Sequence, residues 1–123
     1  YASIVLACAG LTRLGWQSRI AERLAAHRMC PAVGQGALAI EARTGDRRAA
    51  VLNHPESWDA VSAERACLRA FGGGCQIPLG AYAHHQAGRL AMDAVVVSLD
   101  GQRVIREQLR QGDAETPEAL GAR

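Results

Sequence analysis

Cys75 stands in GGGCQIPLG, residues 72 to 80, behind three consecutive glycines and ahead of Pro78 and Gly80. A thiol in such a loop can be a nucleophile or a point of covalent attachment, because glycines let bare backbone approach a bulky group closely. The other cysteines, Cys8, Cys30 and Cys67, read as small buried hydrophobes. No two of the four form a C-x-x-C pair, which argues against zinc and against a small disulfide scaffold, so no metal site is expected. A protease-like Cys/His pair fits less well. His84 and His85 fall in one strand candidate, point to opposite faces and lack a marked orienting partner.

The second chemical feature is that all 14 basic residues are arginine. A net charge of +2 does not argue for nucleic acid. Alongside many alanines and glycines, the missing lysines read mainly as base-composition bias. Guanidinium forks nevertheless grip carboxylates bidentately, so position must decide which arginines hold an acidic ligand.

The elements that must position these groups divide the chain in two. At 123 residues, 49% of them apolar, the length suits one globular domain. No uncharged apolar run is long enough for a membrane span and no secretory signal opens the chain, so a soluble, cytoplasmic protein is expected. Residues 2 to 8, SIVLACA, predict a strand buried on both faces, and Ala37 to Ile40 a second short apolar strand, each without evident neighbours. Between them AGLTRLG predicts a short turn-and-helix piece. QSRIAERLAA predicts a helix with Ile20, Leu24 and Ala25 on one face, stopped before Pro31.

From residue 46 the pattern supports itself. Residues 46 to 53 suit one or two helical turns, and Ser57 is placed to cap the helix WDAVSAERACLRAF, with Val61, Ala66, Leu68 and Phe71 broadly on one side and Gly72 ending it. LGAYAHH, RLAMDAVVVSL and RVIREQLR, split by Gln86 to Gly88 and by Asp100-Gly101, predict an antiparallel meander. Thr116-Pro117-Glu118 opens a final helix that stops after barely two turns, which reads as truncated.

Four stretches in order, AGLTRLG, PAVGQGALAIEAR, SAERACLRAF and GGGCQIPLGAYA, resemble the C-terminal portion of the porphobilinogen deaminases, also called hydroxymethylbilane synthases. The resemblance runs from Tyr1 almost to Arg123. It implies a transferase of haem and tetrapyrrole biosynthesis that joins four porphobilinogen units head to tail with release of ammonia, on a dipyrromethane primer held by a thioether to Cys75. The family's fold has two domains of periplasmic-binding-protein-like topology and a third that carries the cysteine. On that pattern residues 1–33 are the end of domain 2, residues 34–45 a crossover strand belonging with domain 1, and residues 46–123 domain 3. Domain 3 is then α+β, with a three-stranded antiparallel sheet and helices on one face.

Position by position, Arg13 and Arg65 match arginines that bind cofactor or substrate carboxylates, with Arg19 a secondary substrate-binding candidate. Gln35, Gly36 and Gly74 match backbone that faces the cofactor. Arg47, Arg48, Arg106 and Arg110 read instead as solvated surface charges. Loss of ammonia from porphobilinogen calls for a carboxylate to move protons and stabilise cationic character. In the family that aspartate belongs to the first domain, and none of Asp46, Asp59, Asp93, Asp100 and Asp113 matches its motif. No catalytic residue is therefore expected in this chain, and the chain alone should be inactive.

The implied partners are porphobilinogen, the growing polypyrrole chain and the missing N-terminal domains, with neither nucleic acid nor membrane. The full-length protein should be a monomer and the isolated chain prone to self-association. Two departures from the family pattern are Gly72, where an acidic residue is common, and a shorter segment between Glu41 and Glu64. The alternative is a non-catalytic, thiol-bearing ligand-binding or redox-sensing domain in which Cys75 is oxidised reversibly.

Overall fold

A computed structural model describes residues 2–74 and 76–123. Three strands, β1 (Leu79–Gln86), β2 (Arg89–Val97) and β3 (Val104–Arg110), form an antiparallel sheet in the order β1-β2-β3. The β1–β2 link is the two-residue turn Ala87-Gly88, both residues at positive φ (51° and 77°), whose twist matches that of the flanking strands. Between β2 and β3, Asp100 organises the turn by accepting from the Ser98 hydroxyl at 2.5 Å and the Gln102 N–H at 3.0 Å.

Register puts one apolar face on the core. Ala83 pairs with Met92 and Met92 with Leu109, so alternate residues of all three strands meet the helices. There α2 (Pro55–Ala70) contributes Ala63 and Cys67, and α3 (Pro117–Ala122) contributes Leu120, closing a cluster with Ala81, Ala83, Leu90 and Met92. The expected α+β arrangement, with a three-stranded antiparallel sheet and helices on one face, is what the chain forms. α3 has its Thr116 hydroxyl accepting from the Ala119 N–H at 3.2 Å and Pro117 in the first turn, as the sequence predicts.

The start of α2 differs from expectation. His54, not Ser57, is the cap: its ring nitrogen accepts from the Ser57 N–H at 3.3 Å, and Pro55 sits in the first turn. Proline lacks the N–H that an intrahelical bond would need, so the helix can begin two residues before Ser57 and still satisfy its first donors.

Residues before 46 depart further. The stretch predicted as a strand at 2 to 8 has no regular structure up to residue 7, pairs with no other strand among the described residues and leaves Ile4, Val5 and Leu6 exposed. Its last residue, Cys8, opens the short helix α1 (Cys8–Arg13). The stretch Ala37 to Ile40 likewise lacks a ladder, with Leu38 95% exposed. Strand pattern alone does not make a strand where no neighbouring edge is present. The helix expected over QSRIAERLAA is a 3-10 turn at Gln17–Arg19 followed by irregular chain. So short a segment needs a surface for its apolar face, and Leu24 finds none. A second 3-10 turn, Arg48–Leu52, supplies the predicted helical turn before α2.

Candidate cofactor-binding site

The glycine loop begins with the way α2 stops. Gly72 N–H donates to the Arg69 carbonyl and Gly73 N–H to the Leu68 carbonyl, both at 2.9 Å, the paired bonds of a Schellman ending. That ending demands left-handed backbone, and Gly72, Gly73 and Gly74 all have positive φ (94°, 67° and 121°). A Cβ added at any of the three would meet nothing within 4 Å, so the loop is bare on the outside as well as strained for other residues. Cys75 lies outside the described residues. The chain resumes exposed at Gln76 and enters β1 past Pro78.

The PAVGQG turn is the second component. It is stapled to the sheet rather than left as a free hinge. Ala81 N–H donates to the Pro31 carbonyl at 3.0 Å, and Cys30 Sγ lies 3.6 Å from the Asp93 carbonyl it donates to. Gly80 makes the approach possible: a Cβ there would sit 3.0 Å from the Cys30 carbonyl oxygen and 3.1 Å from the Pro31 carbonyl oxygen. Within the turn, Gln35 folds its side-chain carbonyl back onto the Ala32 N–H at 3.0 Å, and Gly36 stands at φ 87° with open space where a side chain would be.

Glu64 joins these pieces. It is 6% exposed, the only charged residue buried among those described, and each carboxylate oxygen accepts one backbone N–H. Oε2 takes Gly34 at 2.7 Å and Oε1 takes Ala83 at 2.9 Å. Burial pushes its carboxyl above the ordinary range while the two N–H donors pull it back. Sequence reasoning missed this residue. The only signal was a glutamate inside an otherwise apolar helical face next to Arg65, and its acceptor role depends on two backbone donors far off in the chain.

The expected arginines divide by environment. Arg65 is exposed on α2 immediately after Glu64, so the bond from Gly34 brings the Gln35–Gly36 backbone to the helical turn that carries Arg65. Arg13 ends α1, exposed, and α1 packs against the Gln17–Arg19 turn rather than against the sheet. Neither Arg13 nor Arg65 forms an ion pair among the described residues. Arg19 lies over the Trp16 ring, 4.7 Å from its centre. The structure thus brings Arg65, Gln35, Gly36 and the glycine loop onto one body and leaves Arg13 and Arg19 on another stretch. Open glycine backbone and unpaired guanidinium groups fit a covalently held, carboxylate-rich group such as dipyrromethane.

Two of the remaining thiols, Cys30 and Cys67, and two histidines, His84 and His85, have defined surroundings of their own. Burial raises the Cys67 thiol, and it raises Cys30 as well despite the opposing charge of Arg106, so both favour the unreactive protonated form. His84 stacks on Tyr82 with ring centres 5.1 Å apart, and His85 Nε2 faces Asp59 at 3.7 Å. A cleft of about 720 Å³ on the outer sheet face is lined by His27, Tyr82, His84, Asp93, Gln108 and Arg110 among others, and by none of the expected site residues. Among the described residues no three His, Cys, Asp or Glu side chains gather as a metal site, and no helix is long and apolar enough to cross a membrane.

Fold and site together define a three-stranded α+β domain with a bare glycine loop and, among the described residues, with Arg13 and Arg65 outside any ion pair. Residues 58–123 match the family model of the porphobilinogen deaminase C-terminal domain, and residues 1–51 match that of the porphobilinogen deaminase dipyrromethane cofactor binding domain. The chain belongs to the porphobilinogen deaminase family. It is 50% identical to the porphobilinogen deaminase of Methylobacillus flagellatus, over 98% of this chain and 40% of that protein. It is 48% identical to the one from Gloeobacter violaceus, over 98% of this chain and 38% of the relative, and 47% identical to that of Desulforudis audaxviator, over 97% and 40%. The chain therefore spans about 40% of the length of the curated relatives it matches.

Proposed function

We propose that this chain is the part of a hydroxymethylbilane synthase that carries the dipyrromethane primer on Cys75, in an enzyme that polymerises four porphobilinogen units with release of ammonia. The observation that carries the proposal is the glycine loop, whose three left-handed glycines immediately precede Cys75 in the chain and have open space where side chains would be. Bound there, dipyrromethane supplies the pyrrole end on which new units are added. The chain's own residues bind and orient. Arg65 and Arg13 pair with acetate and propionate groups of cofactor and substrate, Arg19 assists with substrate, and Gln35, Gly36 and Gly74 present backbone to the cofactor. No residue of this chain is assigned proton transfer, and the necessary carboxylate is supplied by the first domain of the complete enzyme. In that arrangement residues 1–33 close domain 2, residues 34–45 cross to domain 1, and residues 46–123 form the cysteine-bearing domain.

The test is the mass of the Cys75 peptide from a full-length deaminase carrying this segment, read with its colour in an aldehyde reagent for pyrroles. An added mass of two pyrrole units and a pink product are expected. Cys75→Ser should lose both, together with turnover, because a hydroxyl is a far poorer nucleophile than a thiolate near neutral pH. A bare or sulfenylated thiol in the parent, or normal turnover in the variant, would overturn the assignment and favour a thiol-bearing redox domain.

A further inference from the structure

Glu64 is a buried charge with no cationic partner, which no packing requirement explains: an apolar residue of similar size at that point of α2 would fill the space without the cost of desolvating a carboxylate. What the carboxylate does is accept from two donors that belong to different parts of the chain. Gly34 N–H, at 2.7 Å, lies in the PAVGQG turn, and Ala83 N–H, at 2.9 Å, lies on the free edge of β1. The donor next along that edge, Ala81 N–H, is taken by the Pro31 carbonyl at 3.0 Å. Carboxylate and turn together therefore occupy the edge that β2 leaves open, and the carboxylate accepts from both the turn and the strand.

We propose that Glu64 is a positioning residue that locks the PAVGQG turn to the α2–β1 body, so that Gln35 and Gly36 are held in fixed relation to Arg65 and to the glycine loop, and the turn moves with the cysteine-bearing domain as one unit. The proposal rests on the reading of this loop as the cofactor site. Its consequence is mechanical. With residues 30 to 36 fastened to β1, relative motion between the cysteine-bearing domain and the rest of the enzyme is pushed into segments outside the turn, residues 37 to 47 on one side and the chain before Cys30 on the other. Among the described residues neither of those segments is bonded to the sheet in the same way.

Glu64→Gln tests this, since it keeps the shape but sets an amide donor against one of the two N–H groups. Glu64→Asp, shorter by one methylene and still charged, reaches one donor at most and serves if the glutamine variant does not fold. In this chain, amide hydrogen exchange of the peptide covering residues 33 to 38 should quicken about tenfold or more in either variant, with the middle of α2 unchanged. In a full-length deaminase carrying the substitution, the folded fraction should load less cofactor on Cys75 and turn over about tenfold more slowly, with kcat affected more than KM. A purely structural glutamate would lower the melting temperature and leave exchange at residues 33 to 38, cofactor loading and kcat per folded molecule as they were, and that result overturns the proposal. Faster exchange with unchanged loading and turnover overturns it equally. If the parent enzyme carries no pyrrole on Cys75, the functional reading fails by itself, and the exchange measurement still decides whether Glu64 holds the turn.

Discussion

Glu64 and Arg65 are neighbours in the chain with opposite surroundings, one buried against backbone donors and the other exposed without an ion pair among the described residues, and substitutions at the two should therefore read out differently. Arg65→Leu removes a solvated charge, so the fold should be unaffected while ligand binding suffers. In the complete enzyme, loss of one charge-assisted contact worth about 1.5 to 3 kcal/mol should slow cofactor assembly or chain elongation roughly tenfold to a hundredfold, and Arg13→Leu should do the same. Arg106→Leu, on the outer face of the sheet, should be nearly silent. Equal losses from all three would reduce these roles to general charge.

Glu64 should instead show itself in the pH dependence of stability. Its carboxyl is raised in the folded state, so the fold binds that proton more tightly than the unfolded chain does. The stabilisation is whole below the ordinary glutamate value and is lost as pH rises through the raised one. Between about pH 4 and pH 7 the urea midpoint of the parent should fall relative to that of Glu64→Gln as pH rises, because only the parent carries this loss. Parallel profiles would show that burial does not dominate at this carboxyl.

At the scale of elements, α2 and α3 meet through two small residues. A Cβ on Gly121 would overlap the Ala63 carbonyl, so Gly121→Ala must push the helices apart or shift Leu120 out of the core it closes. A loss of about 2 kcal/mol, or roughly 10 °C in melting temperature, is expected for such overpacking in a domain of this size. A change of less than about 1 °C would mean that α3 is loosely held. The same elements show what could be read from the sequence. The three strands were legible because alternation and turn residues agree: Ala81, Ala83, Leu90 and Met92 face inward at a period of two, and Gly88 and Gly101 mark the turns. The end of α2 was legible in Gly72 for the same local reason. His54 as the cap was not, since a histidine ring nitrogen is an uncommon acceptor at that position and Ser57 offered the commoner one. Glu64 was not legible either, because its partners are backbone N–H groups that carry no sequence signature.

At the scale of the molecule, the two parts of the chain differ in what they bury. Every residue of the core cluster lies at or beyond Ala63, whereas Ile4, Val5 and Leu6 are exposed at 69%, 64% and 55%, and Leu38 and Ile40 at 95% and 55%. Apolar side chains arranged along extended backbone with unpaired N–H and C=O groups are a template for pairing with another chain. In this chain by itself the nearest available partner is a second copy. Light scattering on the isolated chain should therefore show concentration-dependent association, with protease sensitivity and fast amide exchange concentrated before residue 46 and slow exchange in α2 and the sheet. The turn at residues 30 to 36 should be the exception within the early segment, protected by the Ala81–Pro31 and Gly34–Glu64 bonds that tie it to β1 and α2. On the division of labour proposed above, porphobilinogen consumption should be absent however the chain associates, because joining two copies supplies more arginines and glycine loops but not the carboxylate assigned to the first domain. A dispersed monomer with uniform protection would refute the edge argument, and measurable turnover by this chain alone would refute the division of labour between the cysteine-bearing domain and the domain that provides the acid.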